Sequence, residues 1–141
     1  MKILILCTGN SCRSQMAHGI LEHTDKNLQV YSAGTHPAAT VNINSIKVMN
    51  ELGIDISNHS THNISEYLGD EFDYVITVCD NAKETCPVFM GKVHHRLHFG
   101  FEDPADAIGT EEEILNTYRK IRDQIKDKFS EFYLSIHEYK H

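Results

Sequence analysis

The chain opens with an apolar run, Lys2–Leu6 (KILIL), that breaks without transition into CTGNSCRS, residues 7–14. A run with no polar alternation is what a strand needs when a parallel sheet buries it on both faces. Beyond the polar stretch, Met16, Ala17, Ile20 and Leu21 fall on one helical face. Residues 7–14 therefore form a loop between a first strand and a first helix. This strand–loop–helix start constrains the fold more than any other feature. It calls for a crossover to a parallel neighbouring strand, and such crossovers are right-handed.

The remaining chain continues the alternation. Leu28, Val30 and Ser32 alternate with Gln29 and Tyr31 as a second strand, ended by AGTHP. Ile43, Ile46, Met49 and Leu52 mark a second helix, with Gly53 as its stop. FDYVITV (72–78) reads as a buried third strand, and Val93, Leu97 and Phe99 suggest a fourth. Thr110 and Glu113 make a capping box, after which Ile114, Tyr118, Ile121, Ile125, Phe129, Phe132 and Ile136 recur at helical spacing. The pattern predicts an α/β domain around a parallel sheet, with its ligand beyond the carboxyl ends of the strands. The loop lies at that edge. Cys79 and Asp103 follow the third and fourth strands and reach the same edge.

Length and charge narrow the function. The 141 residues fit a single domain, 1–141, with a proper core. A net charge of −7 argues against a nucleic-acid partner. It also means that an anionic substrate needs a local positive site rather than a steering field. No apolar stretch approaches the ~20 residues of a membrane span, and MKILILC is too short for a secretory signal. The expected location is the cytoplasm, where the four cysteines rest reduced and are candidates for catalysis, redox chemistry or metal binding.

The loop supplies both a nucleophile and an anion cradle. Cys7 and Arg13 stand as Cys-x5-Arg, followed by Ser14. With a helix starting near Arg13, the backbone N–H groups of Thr8, Gly9, Asn10, Ser11, Cys12 and Arg13 surround one central point, as anion sites require. Arg13 adds a planar fork matched to two oxygens of a tetrahedral oxyanion. Gly9 and Asn10 accept left-handed backbone conformations that a tight loop demands. The same positive field suits a thiolate at Cys7, and the Ser14 hydroxyl is placed to donate to it.

CTGNSCRS, with SAGT (32–35), GIDISNHS (53–60), VCDNAKETCPVF (78–89) and HFGFEDPA (98–105), resembles the thioredoxin-coupled arsenate reductases. These share the fold of the low-molecular-weight protein tyrosine phosphatases. The resemblance spans nearly the whole chain, and the Cys79…Cys86 segment is what points to the reductase branch. It implies a single three-layer domain with a four-stranded parallel sheet in order 2-1-3-4. It implies reduction of arsenate to arsenite in arsenic detoxification, with Cys7 as nucleophile, Asn10 holding the loop and Arg13 binding the oxyanion. Ser14 supports the thiolate, Asp103 is the general acid, and Cys79 and Cys86 are relay thiols. Thioredoxin is the electron donor, no other cofactor is implied, and a monomer is expected. Some of these reductases hold potassium near the loop through an acidic side chain at the position of His18. Histidine departs from that pattern, and no metal is expected.

The alternatives are a phosphatase acting on phosphate monoesters and a non-catalytic thiol or metal sensor. A phosphatase needs neither Cys79 nor Cys86. EDPADAIG (102–109) also offers no aromatic residue beside the acid to stack on a substrate ring. A zinc site built from His94, His95 and His98 with Cys79 and Cys86 fits poorly. The thiols are too far apart in sequence, and neighbouring strand residues point to opposite faces. Cys12 is read as structural, and His59 and His62 are assigned no chemistry.

The relay segment carries one conformational expectation. Asp80 or Asn81 can cap a short helix that Pro87 stops. A helix at ~1.5 Å per residue would hold the Cys79 and Cys86 Cα atoms about 10 Å apart, whereas a disulfide needs them within roughly 7 Å. Oxidation should therefore unwind the segment and carry the disulfide toward the surface.

Overall fold

Because residues 3–7 are apolar throughout, β1 (Lys2–Cys7) can be enclosed on both sides, and it lies inside the sheet rather than at an edge. The computed structural model describes residues 1–138. Its sheet is formed by β1, β2 (Gln29–Gly34), β3 (Glu71–Thr77) and β4 (Lys92–His98), in the order β2-β1-β3-β4. All three pairings are parallel, as the alternation predicts. The helices are α1 (Arg13–Thr24), α2 (Ile43–Asn50) and α3 (Glu111–Glu138).

Alternate residues of β1 feed two separate cores. Ile3 and Ile5 face the larger one, where Met16 and Ile20 of α1, Val48 and Met49 of α2, and Tyr118, Ile125 and Phe129 of α3 meet them. Leu4 and Leu6 face a smaller cluster with Phe72, Val75 and Phe89. The layer over this second face is thin. It consists of the 3-10 turn Ile64–Tyr67 and the chain around Phe89. The free edge of β4 carries exposed Lys92, His94, His95 and Arg96, a polar composition that discourages further strand addition. Among the described residues, no helix is long and apolar enough to cross a membrane.

The helix boundaries follow the caps. Thr110 and Glu113 form the expected reciprocal bonds, at 3.2 and 3.3 Å. Gly53 stops the chain after α2 with φ +75°. Asn42, which the periodicity did not single out, caps α2 by accepting from Asn44 N–H at 2.8 Å.

The segment between Cys79 and Cys86 is in its disulfide form, in which no helix is expected. In place of a short helix it forms an isolated turn, in which Glu84 N–H donates to the Asp80 carbonyl at 2.9 Å. Asp80 still caps that turn, accepting from Ala82 N–H at 3.0 Å. The helix is excluded because Cys79 and Cys86 are joined in a disulfide with their Cα atoms 5.7 Å apart. The bond has not moved fully to the surface, however: Cys79 is completely buried and Cys86 is half-buried.

Gly34, at the end of β2, lets the loop after β1 lie against the neighbouring strand. A Cβ added there would run into the carbonyl of Thr8. Gly34→Ala is expected to destabilise the protein by about 1–3 kcal/mol, the usual cost of forcing extra volume into packed structure. Urea unfolding reads this directly.

Candidate active site

The loop turns its carbonyls outward. Those of Thr8, Gly9 and Ser11 accept from the backbone N–H groups of His36, Ala38 and Asn42 at 2.9–3.0 Å, and that of Asn10 accepts from Gln15 Nε2 at 3.1 Å. The N–H groups are left to face the centre, which gives an anion-binding nest. Asn10 takes the left-handed conformation with φ +50°. Its side chain is tied on both sides: Oδ1 accepts from His62 N–H at 2.9 Å and Nδ2 donates to Ser14 Oγ at 2.8 Å.

These bonds settle how Cys7 is held. Its sulfur accepts from Asn10 N–H at 3.2 Å and lies 3.1 Å from Ser14 Oγ. Since Ser14 Oγ already accepts from Asn10, its own hydrogen is free to point at the sulfur. The sulfur is nearly buried at the base of the nest, with the Asn10 N–H and the Ser14 hydroxyl against it. Cys12, by contrast, turns into the core toward the Tyr118 hydroxyl, 3.8 Å away. Burial pushes its thiol up, keeping it protonated, and pushes Tyr118 up as well. Cys12 therefore contributes backbone rather than chemistry to the loop.

Arg13 is nearly buried at the mouth of the nest. Burial opposes its charge, but Glu84 and Asp103 outweigh that and hold it above its ordinary value. Nη1 donates to the Phe101 carbonyl at 3.0 Å, which fixes the plane of the guanidinium. Asp103 stands opposite, its carboxylate 3.5 Å from Nη2, on the turn that follows β4. The Nε–H of Arg13 is buried without an acceptor among the described residues. A buried donor left unpaired is costly, so the nest is organised for an oxygen-rich guest.

Part of that place is filled by the protein itself. The Glu84 carboxylate sits on Arg13 in a fork, at 2.6 Å from Nη1 and 2.9 Å from Nη2, and accepts from the Thr8 hydroxyl at 2.9 Å. Hydrogen bonding from Arg13 holds Glu84 below the usual carboxylate range, against its partial burial. A cleft of about 360 Å³ remains, lined by Cys7, Thr8, Arg13, Lys83, Glu84 and Asp103 among others, with no aromatic side chain among the described residues.

The segment closed by the disulfide reaches this cleft through Lys83 and Glu84. Val78 N–H donates to the Leu6 carbonyl at 2.9 Å, so Cys79 follows the end of β3 at the same edge as Cys7, which ends β1. The structure thus brings Cys7, Asn10, Arg13, Ser14 and Asp103 together at the carboxyl edge of the sheet, with Cys79 and Cys86 beside them. His94 and His95 diverge as expected: one meets Glu71 at 3.1 Å and the other stacks on Tyr74. Glu84 is absent from the sequence reading. Nothing in its local pattern marks it, because its partner Arg13 lies 71 residues away in sequence. The position of His18 is occupied by an imidazole whose Nε2 meets Glu22 at 3.0 Å. Imidazole nitrogen is a poor ligand for a hard monovalent cation, so these residues do not fit potassium.

The sequence pattern of the family described as low molecular weight phosphotyrosine protein phosphatase matches residues 2–141. The chain is 44% identical over 131 residues to an arsenate reductase of Shouchella clausii, covering 92% of this chain and 93% of that protein. A solved arsenate reductase in the oxidized state superposes with a TM-score of 0.80 at 27% identity, over 96% of this chain and 98% of that one. A thioredoxin-dependent arsenate reductase of Corynebacterium glutamicum aligns with a TM-score of 0.68 at 25% identity, over 98% of this chain and 62% of that one.

Proposed function

The chain belongs to the low molecular weight phosphotyrosine protein phosphatase family, and within it we propose that the protein reduces arsenate to arsenite through Cys7, Cys79 and Cys86, with thioredoxin restoring the thiols. The observation that carries this reading is the Cys79–Cys86 disulfide, which closes the segment whose Lys83 and Glu84 line the cleft of Cys7. Ester hydrolysis has no use for such a bond, whereas a two-electron reduction must leave its oxidising equivalents somewhere. The 44% identity to an arsenate reductase supports the same choice, and the cleft without aromatic residues offers little to a phenyl ester.

The chemistry follows from the geometry. Arsenate takes the nest and Arg13. The Cys7 thiolate attacks arsenic while Asp103 gives a proton to a departing oxygen, which leaves as water. The Cys79 thiolate then attacks the Cys7 sulfur. A sulfur–sulfur bond forms, the sulfur–arsenic bond breaks, and its electron pair stays on arsenic, which departs as arsenite. Cys86 attacks Cys79, releasing Cys7 as a thiolate and forming the disulfide found here. Thiol exchange with reduced thioredoxin returns both thiols. Thioredoxin's point of attack is expected at Cys86, the half-buried partner, because Cys79 is enclosed.

The test is an arsenate assay coupled to thioredoxin and its reductase, run beside hydrolysis of an aryl phosphate. Thioredoxin-dependent arsenite production well above ester hydrolysis is the expected result. Ester turnover without arsenate reduction would move the protein to the phosphatase reading.

In the disulfide form Glu84 competes with the substrate for Arg13. Oxidised protein is therefore expected to bind orthophosphate, an inert stand-in for arsenate, weakly. Glu84→Gln should restore binding to the oxidised protein by about tenfold or more, since a charge-assisted fork is lost. Glu84 is held down by Arg13, so the ion pair is complete above the ordinary carboxylate value of about 4.3 and is lost only as the pH falls through the lower, folded value. Phosphate binding to oxidised wild type should accordingly be as weak at pH 5 as at pH 7. Calorimetric titration checks both points.

A further inference from the structure

Outside the lining of the active-site cleft, two histidines and a glutamate converge. His18 and Glu22 are one turn apart on α1, with His18 Nε2 3.0 Å from Glu22 Oε1. His59, from the chain after α2, brings its Nε2 to 3.3 Å from the same oxygen. The three ligand atoms lie within 4.8 Å of one another. The two rings are tilted by 38° with centroids 4.5 Å apart.

The hydrogen bonds around this cluster decide where its protons are. Gln15 Nε2 donates to the carbonyls of Asn10 and Ser60, at 3.1 and 2.9 Å, which fixes the amide. Gln15 Oε1 is then the acceptor 2.9 Å from His59 Nδ1, so Nδ1 carries the hydrogen. In a neutral His59 the lone pair is left on Nε2, aimed at a carboxylate oxygen. His18 Nδ1 is held by Ser32 Oγ at 2.9 Å, again leaving Nε2 for the cluster. Two imidazoles whose outer nitrogens are tied to polar partners, with inner nitrogens turned on one carboxylate, form a metal-ligand set with its orienting shell in place.

We propose that His18, Glu22 and His59 bind a divalent transition-metal ion of the zinc class. Two imidazole nitrogens and one carboxylate oxygen suit zinc, cobalt or nickel and leave a further coordination position open. Solvent reaches that position from a cleft of about 400 Å³ lined by Glu22, His23, Lys26, Asp55, Asn58 and His59. The site is separate from the arsenate chemistry and does not depend on it. Its connection to the loop runs through Gln15, which holds His59 at one end and the carbonyl of left-handed Asn10 at the other. A bound metal would fix the back of the oxyanion nest without touching the substrate, a positioning role.

The thiol of Cys7 is a competing ligand, so the experiment uses full-length Cys7→Ser protein in its disulfide form, where the remaining free thiol, Cys12, is buried. Cobalt chloride is titrated and followed by visible absorption, and zinc chloride by calorimetry and thermal unfolding. One equivalent should bind, with ligand-field bands and no sulfur charge-transfer band, and zinc should raise the unfolding midpoint. His18→Gln and His59→Gln should each weaken binding at least about tenfold, and Gln15→Ala should weaken it by a smaller factor. His94→Gln, at the exposed edge of β4, should change nothing. Failure of zinc and cobalt to bind would overturn the proposal. So would binding that survives both His18→Gln and His59→Gln with these variants still folded by circular dichroism.

Discussion

Cys7→Ser is expected to abolish arsenate reduction and any hydrolysis of phosphate esters, by at least about three orders of magnitude in kcat. Both reactions need the same thiolate, and a serine hydroxyl at this position has no neighbouring base to ionise it. The sulfur's partners are Asn10 N–H, which donates to it, and Ser14 Oγ, whose own hydrogen is free to do the same. They stabilise an anion that forms readily on sulfur and very poorly on oxygen. Ser14 cannot act as the base, because it already accepts from Asn10 and directs its hydrogen at position 7. The substitution is close to isosteric, so fold and anion cradle should survive. Phosphate binding to the reduced variant, measured by calorimetry, should persist while turnover vanishes. Appreciable turnover by Cys7→Ser would remove Cys7 from the mechanism.

The second large effect is expected at Cys86. Cys86→Ser should produce about one equivalent of arsenite per protein and then stop, because the disulfide remains between Cys7 and Cys79 with no third thiol to resolve it. Cys79 is enclosed, whereas Cys86 is half-buried on a polar turn. Thioredoxin should therefore reduce the stalled protein slowly, with a steady-state loss of about a hundredfold or more. Quenched-flow measurement of arsenite, followed by peptide mapping of the disulfide, reads both features. Hydrolysis of an aryl phosphate by the reduced variant should be little changed. Sustained thioredoxin-coupled reduction by Cys86→Ser would mean that an outside thiol resolves Cys79 directly.

Much of this architecture was legible in residue order. The unbroken apolar run of β1, the spacing Cys7-x5-Arg13 and the capping box at Thr110 each depend on neighbours in sequence, and each formed where local chemistry required. The loop's outward carbonyls follow from the same strand–loop–helix start. What escaped the sequence depends on partners far along the chain. Glu84 reaches Arg13 across a separation of 71 residues, on a segment whose ends two cysteines join. His59 meets Glu22 because Gln15 anchors a distant loop. The spacing of His18 and Glu22 on α1 was readable, but no pattern pointed to the third member. The short helix read after Cys79 belongs to the reduced chain, and with the disulfide closed the segment is unwound. Its local capping signal was sound, as the Asp80 turn confirms, but a covalent bond between its ends outweighs the helix.

The central claim is that arsenate drives Cys7, Cys79 and Cys86 through a relay ending in a Cys79–Cys86 disulfide. Its most direct test is to reduce the protein fully, remove the reductant, add one equivalent of arsenate, and map the thiols by mass spectrometry as arsenite is counted. The expected result is one arsenite for each Cys79–Cys86 disulfide, with Cys7 and Cys12 recovered as free thiols. Arsenite formed without that disulfide, or the disulfide formed without arsenite, would contradict the relay.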